Sequence, residues 1–130
     1  MTDKTLSYVL RSIDVSKGEI VREVDGLKAV LVKNHKTVVH QRNGTYVGVY
    51  EYLVLLCDNE KAGIILKCDS VDIHTYVFRK YRNQHIVSNL TRDGFLKKLW
   101  PDIDSVTCVN WDEYDRIRHL AEIAGFWLRE

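Results

Sequence analysis

Residues 21–50 read VREVDGLKAVLVKNHKTVVHQRNGTYVGVY, a stretch in which β-branched or aromatic side chains alternate with pairs of turn-forming residues. Asp-Gly and Asn-Gly pairs favour the primed turns that match the twist of antiparallel strands, and Asn-His is a weaker signal of the same kind. We therefore predict three two-residue turns, at Asp25-Gly26, Asn34-His35 and Asn43-Gly44. Turns at this spacing predict an antiparallel β-meander whose consecutive strands lie edge to edge.

The predicted turns fix a register, which sorts the side chains onto two faces of the sheet. The first turn pairs Glu23 with Lys28, a favourable contact, whereas the middle turn opposes Lys33 and Lys36, an unfavourable one. One face is almost continuously apolar, and we expect helices to cover it: Leu31, Val38, Val49, Leu53, Leu55, Ile64 and Leu66. The other, which we call the tyrosine face, is half aromatic and half polar: Val30, Thr37, Val39, Tyr46, Gly48, Tyr50 and Tyr52.

Patterns on either side of the meander predict the remaining elements. Apolar residues at helical spacing favour an amphipathic helix at 3–13, capped by Thr2 or Asp3, with a strand as the alternative. Downstream we expect a loop at 58–62, strands at 63–68, 71–78 and 105–109, helices at 91–99 and 110–124, and a docked apolar tail at 126–128. These elements predict an α+β fold: a twisted antiparallel β-meander of five or six strands, with an N-terminal helix and two C-terminal helices packed mainly on one face.

The composition indicates one globular domain spanning residues 1–130. With 45% hydrophobic residues, the chain can bury a core without a disulfide or a metal. Its formal charge of +1 provides no global field that would attract nucleic acid or an anionic membrane. The three cysteines, Cys57, Cys68 and Cys108, lie in apolar settings and predict reduced thiols in a cytoplasmic protein. The N-terminus lacks a signal-peptide pattern, and no apolar run is long enough to cross a membrane.

The tyrosine face is the first candidate site. Tyr46, Tyr50 and Tyr52 are predicted to share one side of a strand, with Gly48 leaving room between them for a flat ligand. Nucleic-acid bases stack on aromatic platforms of this kind because every base has a π-face. The segment resembles the aromatic strand of RNA-recognition sheets, although the surrounding topology differs. The alternative is that the tyrosines pack against a helix or a second subunit, and we expect a homodimer if a ligand does not cover them.

A basic patch after the last predicted strand is the second candidate site. Arg79, Lys80, Arg82 and Arg92 are interleaved with aromatic residues, and Lys97 and Lys98 follow. Guanidinium groups bind phosphates through two parallel hydrogen bonds, so this composition predicts a phosphate-bearing ligand. The next stretch, from 102 to 115, is acidic, and the alternative is that the two charged patches pair with each other or with a partner protein.

Motifs for catalysis, metals and cofactors are missing from the sequence. No nucleophile elbow, P-loop or dinucleotide-binding glycine pattern occurs. The 58–62 loop would place Cys57 opposite Ile64 and away from Cys68, and the histidines and cysteines lack zinc-ligand spacing. We therefore predict no metal site and no cofactor. His74 and His85 form the one combination that suits acid-base chemistry.

Three functional hypotheses follow, and the sequence favours a protein without catalytic activity. The first is a small binding protein that blocks a partner protein or sequesters a nucleotide, since compact chains without linkers or catalytic motifs are typical of phage accessory and inhibitor proteins. The second is an RNA- or single-stranded-DNA-binding domain that uses the same surface. The third is a metal-free hydrolase or cyclase-like enzyme that uses histidine acid-base chemistry.

Overall fold

The structure, a computed structural model, describes residues 2–41, 43–68, 72–103, 105–107 and 127–129, and it confirms the predicted α+β class. Five antiparallel strands neighbour one another in chain order: β1 (Glu19–Val24), β2 (Leu27–Gln41), β3 (Gly44–Cys57), β4 (Glu60–Cys68) and β5 (Asp72–Val77). Two short strands continue the sheet in parallel beyond β5: β6 (Ser105–Thr107) and β7 (Trp127–Arg129). The described helices are α1 (Asp3–Ser12), α2 (Ile86–Thr91) and α3 (Phe95–Leu99).

The first hairpin has the predicted register. Val24 pairs with Leu27, and Glu23 pairs with Lys28. Both turn residues are left-handed, with φ of 47° at Asp25 and 82° at Gly26, as a primed turn requires.

The predicted turn at Asn34-His35 is wrong, because β2 continues through it as one strand of 15 residues. A bulge between Val32 and His35 accommodates Asn34, whose φ is 57°. A bulge tolerates one left-handed residue without reversing the chain, and it also spares Lys33 and Lys36 from facing each other. The predicted middle turn is therefore replaced by a long β2–β3 hairpin.

The two later turns also differ from the prediction. Gln41 pairs with Gly44, so the tight turn is displaced by one residue from Asn43-Gly44. Asp58 and Asn59, with φ of 50° and 67°, form a two-residue turn instead of the predicted loop at 58–62. Cys57 consequently pairs with Glu60, not with Ile64.

The sheet has a buried core on each face. On the tyrosine face, α1 contributes Leu6, Val9 and Leu10, and these residues and Ile13 directly after the helix pack with sheet residues that include Tyr52, Val54, Ile64 and Leu66. On the other face, α2 and α3 pack over Leu31, Leu53, Leu55 and Ile65. Ile64 and Leu66 thus lie on the opposite face from the one predicted, because a bulge beside Leu55 adds one residue to β4.

The helix predicted at 91–99 is shorter in the structure, where α3 covers Phe95–Leu99 and a separate helix, α2, precedes it at Ile86–Thr91. Asp93 and Gly94 have φ of 63° and 69°, which interrupts the helical path between α2 and α3. α3 ends just before Trp100-Pro101, as the sequence predicts. The predicted helix at 110–124 lies outside the described residues. None of the described helices is long and apolar enough to span a bilayer.

Candidate functional site

The β2–β3 hairpin extends past its neighbours. Pairing with β1 ends at Leu31, and pairing with β4 begins at Glu51. Beyond those points β2 and β3 pair only with each other among the described residues, up to Gln41 and Gly44. We call this projecting segment, residues 33–50, the ribbon. At about 3.3 Å per residue it is roughly 25 Å long, so it presents two faces and two strand edges.

The three predicted tyrosine rings lie on one side of β3, on the tyrosine face, but they differ in solvent exposure. Tyr52 has no exposed surface, and its hydroxyl lies 2.8 Å from Thr37 Oγ1. Tyr50 is half-buried, and its ring occupies the space above Gly48, where an added Cβ would meet ring atoms at 2.4 Å. Tyr46 is 42% exposed. The room that Gly48 was predicted to leave for a ligand is therefore filled by the protein's own Tyr50.

The rest of the tyrosine face along the ribbon is also enclosed. Thr37 and Val39 are buried, and His35 packs edge-on against Tyr52 with ring centroids 5.5 Å apart. The expected homodimer through this face would need an open surface. Among the described residues of the ribbon's tyrosine face, Tyr46 is the one side chain that is largely exposed.

The opposite side of the ribbon is open, and we call it the valine face. Its six residues alternate with those of the tyrosine face, and all are exposed: Lys36, Val38, His40, Thr45, Val47 and Val49. Val38, Val47 and Val49 keep 49%, 62% and 58% of their surface in contact with solvent. Three neighbouring valines that stay exposed on a projecting element are typical of a surface that binds another molecule.

The ribbon is also uniformly cationic. Lys33 and Lys36 are its charged residues among those that the structure describes, the sequence adds Arg42, and no Asp or Glu occurs between Gly26 and Tyr50. Because the whole chain carries only +1, the remainder is net negative. Net positive charge is therefore carried by this segment and not by the rest of the chain, which gives the ribbon a local field that the total charge conceals.

The predicted basic patch lies at the other end of the sheet. Lys80 Nζ is 3.8 Å from Glu60 Oε2, which also accepts a 2.8 Å hydrogen bond from the Tyr81 hydroxyl. That hydrogen bond raises the pKa of Tyr81, because it stabilises the protonated phenol. Glu60 pairs with Cys57 at the far end of β3. Tyr46 and Cys57 are eleven residues apart along β3, or roughly 35 Å.

The remaining arginines of the patch are dispersed as well. Arg82 donates to the carbonyl of Val77 at 3.0 Å, and its guanidinium lies 5.8 Å from the Tyr76 ring centroid. Arg79 and Arg92 are exposed, and the Arg92 carbonyl accepts a hydrogen bond from Arg22. The structure therefore does not bring the predicted tyrosines and arginines together into one pocket.

The two histidines proposed for acid-base chemistry are also separate. His74 is buried in β5 beneath α1, and its Nε2 lies 3.0 Å from Asp3 Oδ1. His85 is exposed and precedes α2, which packs on the opposite face of the sheet. Within the described ranges, no group of three His, Cys, Asp or Glu side chains is placed to hold a metal ion.

His35 is expected to make the free energy of unfolding depend on pH. Burial lowers the pKa of His35 from its ordinary value of 6.5, because desolvation penalises the imidazolium. The unfolded chain therefore takes up this proton first as the pH falls, so stability is lost between pH 6.5 and the lower folded pKa. Urea midpoints at pH 7.5 and pH 5.0 should differ less for His35→Asn than for the native protein. His40→Asn, an exposed histidine on the same ribbon, is the matched control, and equal losses in all three proteins would contradict the prediction.

Sequence reasoning placed Val38 and Val49 on a face that helices were expected to cover. This expectation is wrong for both residues, because α2 and α3 pack over Leu31, Leu53 and Leu55 and leave the two valines exposed. The cationic character of the ribbon was not recognised either; its signal in the sequence is the absence of acidic residues from Leu27 to Tyr50, which the near-neutral total charge obscures. No protein-family model, curated protein or solved structure matches this chain.

Proposed function

We propose that this protein is a non-catalytic, cytoplasmic nucleic-acid-binding protein whose recognition element is the ribbon. The proposal depends on one observation: the ribbon projects from the sheet and carries only positive charge. Lys and Arg side chains that contact phosphates release condensed counterions, and this release supplies most of the sequence-independent affinity for nucleic acid. A projecting ribbon brings those side chains to a polyanion without interference from the net-negative remainder of the chain.

The geometry favours this function over sequestration of a mononucleotide. A nucleotide pocket would require an aromatic platform beside phosphate-binding arginines. The rings that were predicted to form that platform are buried or half-buried at Tyr52 and Tyr50. An extended polyanion needs no such pocket, because it is bound along its length by dispersed cations. A protein that blocks an acidic protein partner is the competing possibility. Direct binding measurements with nucleic-acid probes separate the two functions.

Charge reversal on the ribbon is expected to weaken nucleic-acid binding. In fluorescence anisotropy with end-labelled 24-nucleotide probes, the double variant Lys33→Glu/Lys36→Glu should lose about 50-fold in affinity at 0.1 M salt, since two phosphate contacts disappear. The slope of log Kd against log salt should fall by about two for the same reason. The matched control is Lys97→Glu/Lys98→Glu on α3, which makes the same change in net charge at exposed positions off the ribbon.

Each outcome of that comparison has a distinct meaning. A large loss in the ribbon variant with a small loss in the α3 variant supports the proposal. Equal losses would show that net charge alone governs binding, and the ribbon would lose its assigned role. If the native protein binds none of the duplex or single-stranded probes at low salt, nucleic-acid binding is rejected and an acidic protein partner becomes the better explanation.

A further inference from the structure

We infer that the nucleic acid is double-stranded DNA and that the ribbon lies in its major groove with the valine face against the base edges. This inference rests on the proposed function and specifies its ligand. Three observations lead to it: the width of the ribbon, the chemistry of its open face, and the packing of the Tyr50 ring over Gly48, which leaves Tyr46 as the one largely exposed ring on the described part of the ribbon.

The width of the ribbon suits one groove. Paired strands lie about 4.8 Å apart, and the van der Waals envelope of the two backbones brings a two-stranded ribbon to roughly 10 Å. The major groove of B-form DNA is about 12 Å wide and admits such a ribbon, whereas the minor groove is about 6 Å wide. The outer edges of the ribbon make no further strand pairing among the described residues, so no other strand widens it.

The chemistry of the valine face matches the floor of that groove. Each thymine presents a C5-methyl group there, and apolar side chains contact it. Val38 and Val47 are directly paired across the two strands, and Val49 lies next to Val47 on the same face. Lys36, which pairs with Val49, stands beside this apolar strip, where its ammonium group can reach a guanine edge or a phosphate.

Other occupants fit the ribbon less well. Single strands are bound by stacking of successive bases on several exposed aromatic rings, but the Tyr50 ring covers Gly48 and Tyr52 is buried, which leaves Tyr46 as the one largely exposed ring of the three. Double-stranded RNA has a deep, narrow major groove that protein side chains cannot read. A second copy of the chain would bring two cationic ribbons together, and three valines offer far less than the roughly 800 Å² per partner of a stable interface.

The test removes methyl groups from each side of the contact, first from the thymines and then from two valines. Binding is measured by anisotropy for a thymine-containing duplex and for the same duplex with uracil at every thymine position. The native protein should bind the uracil duplex at least about fourfold more weakly, the effect expected for one lost methyl contact. Val47→Thr/Val49→Thr should bind the thymine duplex about 15-fold more weakly and should discriminate less between the two duplexes.

Controls separate this inference from the proposed function. Threonine preserves charge and strand propensity at these exposed positions, and an unchanged melting temperature confirms that the variant folds. Tighter binding of single strands or of double-stranded RNA overturns the duplex inference while the proposed function stands. Equal binding of the thymine and uracil duplexes overturns the major-groove placement. A dimer in native mass spectrometry that the double threonine variant dissociates assigns the valine face to a second copy, which also overturns it.

Discussion

Replacement of Tyr52 by alanine should lower the free energy of unfolding by about 3–5 kcal/mol, the usual cost of truncating a buried aromatic side chain. Tyr52 has no exposed surface and packs in the core that α1 forms with the sheet. Its hydroxyl also forms the 2.8 Å hydrogen bond with Thr37, so the variant leaves a buried hydroxyl without this partner. Urea denaturation followed by circular dichroism measures the loss. Tyr52→Phe, which removes only the hydroxyl, should cost about 1 kcal/mol.

Tyr46→Ala is the matched control for Tyr52→Ala. Both residues lie on the tyrosine face of β3, but Tyr46 is 42% exposed and belongs to neither buried core. Its removal should change stability by no more than about 0.5 kcal/mol. Similar losses of unfolding free energy for the two variants would mean that Tyr52 is not more deeply buried than Tyr46. The sequence-based hypothesis that all three tyrosines form one exposed platform would then regain support.

The sequence predicted the two faces of the β2–β3 hairpin in spite of its errors about the turns. Side chains alternate with a period of two, so a two-residue turn displaced by one position shifts each pairing by two residues and leaves every side chain on its face. Tyr46 and Val39 accordingly share a face, although Tyr46 was expected to pair with Gln41. The sequence therefore predicted correctly which side chains share a face, although it did not predict which residues pair across β2 and β3.

The next hairpin shows the opposite case. Without a bulge, the tight turn at Asp58-Asn59 would have kept Ile64 and Leu66 on their predicted face. Because Leu55 pairs with Gly63 and Leu56 with Lys61, Ala62 is an additional residue in β4, and it reverses the side-chain alternation that follows. Ala62 is wholly buried, but no local sequence pattern distinguishes a buried alanine within a bulge from one within a regular strand.

The candidate site was predictable only in part, because alternation reveals which side chains share a face and not how deeply each is covered. Tyr46, Tyr50 and Tyr52 share a face as predicted. Their depth depends on α1, which packs on that same face through apolar residues that are distant in sequence. The separation of Tyr46 from Lys80 arises from the length of β3, because a strand of 14 residues places its first and last residues at opposite ends of the sheet. The predicted middle turn concealed a different length, that of β2, which continues through Asn34-His35 as one strand.

Replacement of Trp100 by alanine is the second change expected to have a large effect, at about 3–5 kcal/mol of unfolding free energy. Trp100 is only 2% exposed and lies in the core between the sheet and α3. Its indole N–H donates to the carboxylate of Glu51, the residue at which β3 begins to pair with β4. The variant therefore opens a cavity and also deprives a half-buried carboxylate of its donor at the base of the ribbon.

A double-mutant cycle separates these two contributions. Trp100→Phe keeps most of the ring and removes the N–H, and Glu51→Ala removes the acceptor. Hydrogen bonds to charged groups contribute about 1.5–3 kcal/mol, so the two single changes together should cost more than the double variant by about that amount. Urea midpoints of the four proteins give the coupling. Additive losses would mean that Trp100 acts through its packed volume alone. Coupling in the expected range would show that this hydrogen bond joins the C-terminal helices to the strand from which the ribbon projects.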